Sequence, residues 1–484
     1  MAAFSKLATA VCLLVVLLLA AFSGSVVVEA RPVPRSAPRR VVSSKPPDSY
    51  RVTSDGIEAF QKTRSFRNRK LLGETTTKSP ENTPPQVADF NVDDFGAAGD
   101  GKTDDTKAFQ NAWAKACSSA EPSTVLVPAG KKYLIKQTPL SGPCKSQVTF
   151  NIDGTLVAPE DKTGWNKQGY PQWISFTGID WLTVTGKGTL DGTGKSSWKN
   201  SCRVNRKHPC TFAPAALTFS SCNHLKVEDI KLLNSPQIHL FVQYCRDVTL
   251  SHLTITAPGT APEADGIHLS HTEDIQIIKP VIKAGDDCIS VASGTKNLYA
   301  SDVQCGPGHG ISIGSLGNKN SEAQVSNITI DGAHLSGTIY GARIKTWQGG
   351  SGYAKDIKFL NMVMDNVKHP ILIDQFYCTQ PDPSKPKPCK ELASAVEISD
   401  VQFKNIRGTG VTKYKDVINL HCSKTFPCRD VVLQDIDIKT TSGGKKNTAI
   451  SSCENVKLSK SSDVSPAPCT SVGKKDDWIQ DEFE

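Results

Sequence analysis

Short strands recur along this chain at a nearly regular interval, and this repeat constrains the fold more than any other feature. Each unit alternates β-branched apolar residues with polar ones and is followed by a turn-forming Asn or Asp, which is typical of a half-buried strand. Eight units of this kind begin at Val227, Val248, Ile275, Leu298, Val325, Ile357, Val396 and Val431. Successive starts are therefore 21, 27, 23, 27, 32, 39 and 35 residues apart.

A repeat of this length predicts a solenoid, in which each coil buries its core against its neighbours. Because the strands are short and no helices separate them, a parallel β-helix fits best. A β-sandwich is the alternative fold. Sandwiches usually carry hairpin dipeptides between their strands, however, and such dipeptides are sparse in this sequence.

A solenoid needs a cap at its ends, and the sequence offers one before the repeat. The pattern of the segment Thr103 to Cys117 predicts an amphipathic helix with Asp104 and Asp105 in its first turn. Its apolar residues follow the i, i+3, i+4, i+7 spacing of one helix face; they are Phe109, Ala112, Trp113 and Ala116. We expect this face to cover the first coil.

The N-terminal residues have the pattern of a secretory signal peptide. Lys6 is followed by the uncharged stretch Leu7 to Val28, whose Leu/Val-rich core gives way to small residues. We predict a signal peptide over residues 1–24, cleaved between residues 22 and 30. A signal anchor is the alternative, because an uncharged stretch of this length could span a bilayer.

A basic, Pro-rich segment over residues 25–88 follows the signal peptide. Eleven Lys/Arg and three Asp/Glu lie between Arg31 and Lys70, so this stretch alone accounts for the net charge of +8 of the whole chain. Such a composition buries too little apolar surface to fold by itself. It predicts either a removable pro-segment that ends near Lys70, or a flexible linker or wall-binding tail. Because the remaining chain is neutral, the sequence argues against nucleic-acid binding.

The cysteine count indicates an oxidising environment. Of fifteen Cys, Cys12 lies in the signal peptide, and the remaining even number predicts disulfides. Plausible local pairs are Cys202/Cys210, Cys378/Cys389, Cys422/Cys428 and Cys453/Cys469. A Cys-based metal site is disfavoured, because no CxxC pair occurs. The sequon Asn327-Ile-Thr predicts a glycosylation site at Asn327.

Polar residues interrupt the repeat at four places. In chain order they are Asp265, the pair Asp286 and Asp287, His309, and the pair Arg343 and Lys345. The separations are 21 residues from Asp265 to Asp286, 22 from Asp287 to His309 and 34 from His309 to Arg343, all close to the coil period. Residues one coil apart in a parallel stack are about 4.8 Å apart, so we expect these side chains to gather on one outer face. Each motif alone would indicate only a turn or an exposed strand; their common phase favours a functional site.

These motifs resemble the signature of a known family. The blocks Gly285-Asp-Asp-Cys-Ile, Gly308-His-Gly-Ile-Ser-Ile-Gly-Ser and Arg343-Ile-Lys are similar to those of the polygalacturonases of glycoside hydrolase family 28. The stretch from Phe95 to Asp105 and the block Asn234-Ser-Pro-Gln-Ile-His resemble the plant members. The resemblance implies an all-β, right-handed parallel β-helix of the pectin-lyase-like type with an N-terminal capping helix. The catalytic domain would span residues 89–470, with an acidic tail over 471–484.

The resemblance also implies an activity, the hydrolysis of the α-1,4-galacturonosyl linkages of pectin with inversion, by a secreted monomer in the plant cell wall. Asp286 would be the general acid, Asp265 and Asp287 would activate water, and His309 would hold these carboxylates in place. Three crowded carboxylates can keep one proton near neutral pH, so we expect neither a metal nor another cofactor. From the residues alone, His309 could instead be the proton donor.

Substrate binding is implied for three further residues. Arg343 and Lys345 would bind a galacturonate carboxylate, and Arg suits a bidentate pair. Tyr377 matches a family tyrosine in the sugar site, although it could equally be a packing aromatic. We expect the polysaccharide to be the only macromolecular partner, with no nucleic acid and no membrane after signal removal.

One position departs from the family pattern. Where the family usually has Asn-Thr before Asp265, this chain has Glu263-Ala264. An added carboxylate could raise the pKa of Asp265 or repel a polyanion. Two alternatives therefore stay open: a pectate lyase that uses calcium and β-elimination, and a catalytically weakened protein that only binds pectin.

Overall fold

The structure, a computed structural model of the chain, describes residues 87–161, 171–204, 207–208, 213–378, 389–441 and 448–469. The predicted signal peptide, nearly all of the basic segment and the acidic tail lie outside the described residues. Among the residues that are described, no helix is long and apolar enough to cross a membrane.

The described residues form 33 strands, which we number in chain order. The first sixteen are β1 Ala88–Asn91, β2 Asp100–Asp104, β3 Ser123–Val127, β4 Lys132–Leu134, β5 Thr138–Ser141, β6 Val148–Ile152, β7 Thr155–Val157, β8 Gln172–Thr177, β9 Leu182–Thr185, β10 Thr189–Asp191, β11 Ala215–Ser220, β12 Asn223–Glu228, β13 Lys231–Leu233, β14 Leu240–Gln243, β15 Arg246–Ser251 and β16 Thr254–Thr256. The others are β17 Ile267–Ser270, β18 Glu273–Ile278, β19 Val281–Lys283, β20 Ile289–Val291, β21 Lys296–Ser301, β22 Gln304–Cys305, β23 Ile311–Leu316, β24 Glu322–Asp331, β25 His334–Ser336, β26 Tyr340–Trp347, β27 Ser351–Val367, β28 His369–Tyr377, β29 Glu397–Val411, β30 Asp416–His421, β31 Cys428–Thr441, β32 Ile450–Glu454 and β33 Val456–Ser465.

Few helical segments accompany these strands. The α-helices are α1 Thr106–Cys117 and α2 Lys195–Lys199. Two short 3-10 turns lie at Val92–Phe95 and Asn318–Asn320.

The strands stack as a parallel β-helix, which confirms the predicted fold and excludes the β-sandwich. An 11-stranded sheet runs in the order β5-β8-β11-β14-β17-β20-β23-β26-β28-β30-β32, so each strand pairs with its counterpart one coil away. A 22-stranded sheet supplies the other faces as two ladders, which meet where β24 and β25 both pair with the long strand β27. All of these strand pairings are parallel.

The core is a column of apolar side chains inside the coils. Phe150 meets Phe176 edge-to-face at 5.5 Å, and Phe176 stacks on Phe219 of the next coil at 5.3 Å. Outward polar residues alternate with these inward ones, as the period-2 pattern predicts. Corner residues such as Asn297 and Asn327 adopt positive φ, and Asn327 Nδ2 donates to Asn297 Oδ1 at 2.9 Å. This amide ladder explains why Asn recurs at the bends within β21 and β24.

Helix α1 covers the first coil. All four predicted core residues are buried, and Trp113 contacts Phe176 edge-to-face at 5.3 Å. The helix begins at Thr106, however, so the predicted start at Thr103 with Asp104 and Asp105 in the first turn is wrong. Asp104 instead accepts from the Thr106 N–H before the helix, and Asp105 accepts from the Ala98 N–H at 2.7 Å.

Disulfides link coils as well as neighbours in sequence. Three of the four plausible pairs are present: Cys378–Cys389, Cys422–Cys428 and Cys453–Cys469. The fourth pair, Cys202/Cys210, includes a residue outside the described ones. Two further disulfides, Cys117–Cys144 and Cys288–Cys305, join residues that sequence reasoning did not pair. Among the described cysteines, Cys222 and Cys245 are free and buried.

Candidate active site

The 11-stranded sheet brings the predicted polar residues together at the beginning of its strands. Asp265 precedes β17, Asp287 precedes β20 and His309 precedes β23. Because Ile267 pairs with Ile289 and Ile289 pairs with Ile311, these three residues occupy equivalent positions in successive coils. The predicted gathering on one face is therefore present.

Glycines allow these turns to pack closely. A Cβ at Gly308 would lie 2.7 Å from the carbonyl oxygen of Asp286, and a Cβ at Gly310 would lie 2.0 Å from that of Tyr340. Both glycines also have positive φ, which side chains disfavour. The Gly-His-Gly sequence thus places His309 directly against the neighbouring coil.

Asp286 is bound tightly on one carboxylate oxygen. Its Oδ1 accepts from the Asp287 N–H at 2.8 Å and lies 3.0 Å from His309 Nδ1. Burial alone would raise the pKa of Asp286, but the positive charges of His309, Lys345 and Arg343 lower it overall. Burial would likewise lower the pKa of His309, but the Asp286 carboxylate raises it. The two side chains therefore form an ion pair.

The pKa of Asp265 is shifted in the opposite direction to that of Asp286. Burial and the nearby carboxylates of Asp286 and Asp287 raise its pKa to about 7, although the hydrogen bond and charge of His268 act in the other direction. His268 Nδ1 lies 3.0 Å from Asp265 Oδ2. Asp265 and Asp286 consequently hold one proton between them up to about pH 7.

Asp287 is buried beneath the other two carboxylates. Its Oδ1 accepts from Arg343 Nη2 at 2.9 Å and from Ser312 Oγ at 2.7 Å, and its Oδ2 accepts from Lys345 Nζ at 3.1 Å. Only 2% of its side chain is exposed. Both oxygens of Asp287 are thus occupied by donors from the following coils.

The side chains of Arg343 and Lys345 are both buried, although Arg-Ile-Lys on a strand would usually form an exposed polar face. Arg343 is 2% exposed, and its guanidinium carbon lies 3.8 Å from the Tyr340 ring centroid. The side chain of Lys345 is 9% exposed and Lys345 Nζ lies 5.4 Å from the Tyr377 ring centroid. With Asp265 protonated, the cluster holds two carboxylates and three cations when His309 is charged. It therefore carries a net positive charge.

Tyr377 ends strand β28 and lies at the edge of this cluster. Besides facing Lys345, its ring meets Trp347 edge-to-face at 5.3 Å. The indole nitrogen of Trp347 is buried and has no hydrogen-bond partner among the described residues. A buried donor without a partner is costly. Trp347 is therefore a candidate functional residue that the sequence analysis did not identify.

The same cluster contains the donor atoms of a possible cation site. Oxygen and nitrogen atoms of Asp286, Asp287 and His309 lie within 4.8 Å of one another. A metal ion would have to displace Arg343 and Lys345 from Asp287, and it would meet their positive charges. The donor set therefore suits buried ammonium and guanidinium groups better than a divalent ion.

The Glu263-Ala264 departure has a structural explanation. Glu263 Oε1 lies 2.6 Å from Arg203 Nε, so its charge is paired locally. Ala264 is fully buried in a small cluster with Ala257 and Ala261, against which Trp198 of α2 packs. The added carboxylate is thus held by the segment after α2.

Sequence reasoning also missed two residues that position the carboxylates. Ser312 donates to Asp287 and accepts from Arg343 Nε at 2.9 Å. His239 is fully buried, burial lowers its pKa to about 4, and its Nδ1 lies 2.8 Å from the Asp265 carbonyl oxygen. Both lie in or next to strands of the 11-stranded sheet, and the motif blocks already contained them.

Comparisons with known proteins identify the family and agree with the fold. Residues 117–466 match the family described as Glycosyl hydrolases family 28. The chain is 48% identical over 377 residues to a polygalacturonase of Persea americana, which covers 78% of each chain. It is 45% identical over 388 residues to Polygalacturonase-2 of Solanum lycopersicum, covering 80% of this chain and 82% of the relative.

Solved structures support the fold. An endo-xylogalacturonan hydrolase from Aspergillus tubingensis matches 78% of this chain and all of its own, with a TM-score of 0.62 and 21% identity. A polygalacturonase from Erwinia carotovora ssp. carotovora matches 80% of this chain and all of its own, with a TM-score of 0.61 and 22% identity.

Proposed function

Since this chain belongs to glycosyl hydrolases family 28, we propose that it hydrolyses the α-1,4-galacturonosyl linkages of pectin with Asp265, Asp286 and Asp287. The family membership makes the chain a glycoside hydrolase, as the sequence predicted. It also removes the support for the lyase alternative, since the family consists of hydrolases. The named roles of single residues are our proposal.

One observation carries the proposal. Asp265 and Asp286 each leave one carboxylate oxygen without a hydrogen-bond partner among the described residues: Asp265 Oδ1 and Asp286 Oδ2. Both side chains are partly exposed, whereas Asp287 is not. Glycosidic hydrolysis needs one carboxylic acid and one carboxylate on opposite sides of the bond. Two reachable carboxyl groups that share one proton meet this need.

Asp286 is the general acid in this proposal. In the free protein the proton is on Asp265, because the pKa of Asp265 is raised and that of Asp286 is lowered. We propose that it passes to Asp286 Oδ2 when substrate binds, and that Asp286 then protonates the leaving oxygen. His309 donates to the other oxygen and stabilises the carboxylate that proton transfer leaves behind. Asp265 is then ionised and takes a proton from the attacking water, and inversion follows because water attacks directly.

We propose that Asp287 holds the groups around the water-activating carboxylate in position. Its negative charge holds Arg343 and Lys345 and contributes to the raised pKa of Asp265. The net positive charge of the cluster attracts a galacturonate carboxylate. We propose that Lys345, Arg343 and Tyr377 bind the sugar next to the scissile bond, with Lys345 the more accessible of the two cations.

The relatives support the setting that we propose for the reaction. The curated relatives are plant polygalacturonases, so we propose a secreted monomer that acts on pectin in the cell wall. The predicted signal peptide over 1–24, the segment 25–88, the catalytic domain 89–470 and the tail 471–484 belong to this proposal. So does glycosylation of Asn327, which is exposed on a corner of β24.

Product analysis tests the reaction type. The full-length protein should release saturated galacturonides from polygalacturonate, and NMR should first detect the anomer opposite to that of the substrate. EDTA should leave the rate unchanged. Products that absorb in the ultraviolet at an unsaturated bond, or loss of rate with EDTA, would instead indicate β-elimination.

A further inference from the structure

Four aromatic or imidazole rings lie on the surface of four consecutive coils, at the corner where each coil passes from the 11-stranded to the 22-stranded sheet. Trp181 stacks on His224 with ring centroids 3.9 Å apart, and Tyr244 stacks on His271 at 4.8 Å. All four residues are exposed, and Trp181 and Tyr244 are each 57% exposed. We call these four residues the aromatic corner. A group of exposed rings, unlike a single one, is typical of a binding surface.

The neighbouring coils hold the Tyr244 ring in place and leave much of it open. Tyr244 and His271 directly follow residues that pair between β14 and β17, so their rings are in register. A Cβ at Gly294 in the next coil would lie 2.6 Å from the His271 ring, so this glycine makes room for it. In the coil before Tyr244, the equivalent residue is the small Ser221. The Tyr244 ring is therefore supported on one side and accessible on the other.

The backbone at the aromatic corner does not favour large side chains. All four residues have φ between 48° and 62°, a region that Asn and Asp adopt more readily than bulky residues. In later coils, the positions equivalent to His224 carry Asp274, Asn297 and Asn327, also with positive φ. The fold alone would thus favour a short polar residue at this corner. Rings that are kept at such positions indicate a function.

The charges at this corner do not suit a polyanion. Four acids and two cations lie here: Asp180, Asp247, Glu273, Asp274, Arg246 and Lys296. Both cations are already bound to these acids, since Arg246 contacts Glu273 and Asp274 at 3.2 Å and Lys296 contacts Glu273 at 3.2 Å. With uncharged imidazoles the corner is therefore net negative, in contrast to the positive carboxylate cluster. A galacturonate chain would be repelled, whereas a neutral ligand would not.

The size of the aromatic corner fits a sugar chain better than a protein. With about half of each ring exposed, Trp181 and Tyr244 present roughly 200 Å², whereas a stable protein interface buries about 800 Å² on each partner. Trp181 and Tyr244 are two coils apart, or about 10 Å, which is close to the length of two pyranose residues. Carboxylates beside the rings can accept hydrogen bonds from sugar hydroxyl groups.

The aromatic corner is separate from the catalytic residues. Strand β17 has Asp265 before its first residue and His271 directly after its last one. Six residues of extended chain span roughly 20 Å. A ligand at the aromatic corner would therefore leave the carboxylate cluster accessible to its own substrate.

We propose that the aromatic corner binds a neutral polysaccharide chain through the rings of Trp181 and Tyr244. The rings pack against the apolar faces of two pyranose residues, and Asp180 and Asp247 accept hydrogen bonds from hydroxyl groups. The site holds the protein on a polysaccharide that it does not cleave. A plant cell wall as the source of this chain rests on the proposed function, whereas the binding itself does not.

The double variant Trp181→Asn/Tyr244→Asn tests this site. It removes both rings and introduces the residue that suits positive φ, so its Tm should be no lower than that of the wild type. The wild type should be retarded in native gels that contain hydroxyethylcellulose or β-1,4-galactan, and retardation in one of the two gels alone identifies the sugar. The double variant should migrate there as in a gel without polysaccharide. Its kcat and KM for polygalacturonate should not change.

The control Tyr299→Thr removes a ring that is 45% exposed on β21 of the 22-stranded sheet, where the next coil carries Thr329. It should be retarded like the wild type. A wild type that neither neutral polysaccharide retards would overturn the site, and so would equal retardation of the double variant. Loss of retardation by polygalacturonate in the double variant would overturn it too, because the rings would then bind the anionic substrate. A wild type that is retarded but releases no reducing ends would contradict the proposed function and support the site.

Discussion

The carboxylate of Asp287 lies 2.9 Å from Arg343 Nη2, and both side chains are 2% exposed. A buried ion pair of this kind costs desolvation energy, and removal of one partner leaves the other charge buried and unpaired. Asp287 is thus bound to residues 56 positions away in the sequence. The pair joins three successive coils beneath the reachable carboxylates.

Replacement of Asp287 by Asn should destabilise the protein as well as inactivate it. The amide keeps the shape but leaves Arg343 and Lys345 without their counter-charge, at a cost of about 3 kcal/mol. Thermal unfolding should show a clear decrease in Tm. The control Asp437→Asn breaks an exposed pair with Lys439 and should leave Tm nearly unchanged. Equal Tm values for the two variants would refute this role of Asp287.

The pH dependence of the rate should follow Asp265. Because its pKa is raised to about 7, the shared proton is present below this pH and lost above it. An acid-catalysed step therefore slows as the pH rises through about 7. A profile of kcat/KM against pH measures this decrease. In His268→Gln the positive charge that lowers the pKa of Asp265 is removed, so the alkaline limb should move to higher pH. A limb that stays in place or moves down contradicts the shared proton.

His309 should affect turnover more than binding. Its Nδ1 lies 3.0 Å from Asp286 Oδ1, so His309→Asn removes the cation that stabilises Asp286 after proton transfer. We expect kcat to decrease by about 100-fold with little change in KM for polygalacturonate. If kcat stays within a factor of two, His309 has no part in the acid step.

The ion pair between Glu263 and Arg203 should keep the unusual carboxylate from disturbing the substrate. Glu263→Gln should change kcat/KM by less than about threefold, because an exposed pair contributes little. Arg203→Ala should raise KM for polygalacturonate, since it removes this cation from Glu263 near an anionic chain, and the double variant should return to the wild-type value. A large loss in Glu263→Gln alone would indicate a direct role for Glu263.

The repeat in the sequence predicted the fold and the position of the site for physical reasons. A fixed coil length places equivalent residues of successive coils side by side. The sequence spacing of Asp265, Asp287 and His309 was therefore enough to predict that they lie together. Helix α1 was predicted by its apolar face. Its first turn was not: Asp104 and Asp105 both precede the helix, where Asp104 accepts from the N–H of Thr106, the first helical residue, and Asp105 accepts from the Ala98 N–H.

Other features depend on contacts that spacing does not reveal. The strand pattern predicted an outward position for Arg343, but not that Asp287 and Tyr340 would cover it. The disulfide between Cys288 and Cys305 spans 17 residues, about as many as the predicted pair Cys453–Cys469, so spacing alone does not reveal it. The pairing of Glu263 with Arg203 depends on how the segment after α2 folds back. A single sequence carries no direct signal for such contacts.

Release of reducing ends from polygalacturonate tests the central claim most directly. The wild type should release them without added metal, and Asp286→Asn should decrease the rate by about 1,000-fold while it still binds polygalacturonate in gels. The control Asp331→Asn, whose carboxylate accepts from Asn361 on the 22-stranded sheet, should keep the full rate. Equal rates for Asp286→Asn and the wild type, or no release by a wild type that binds polygalacturonate, would contradict the account.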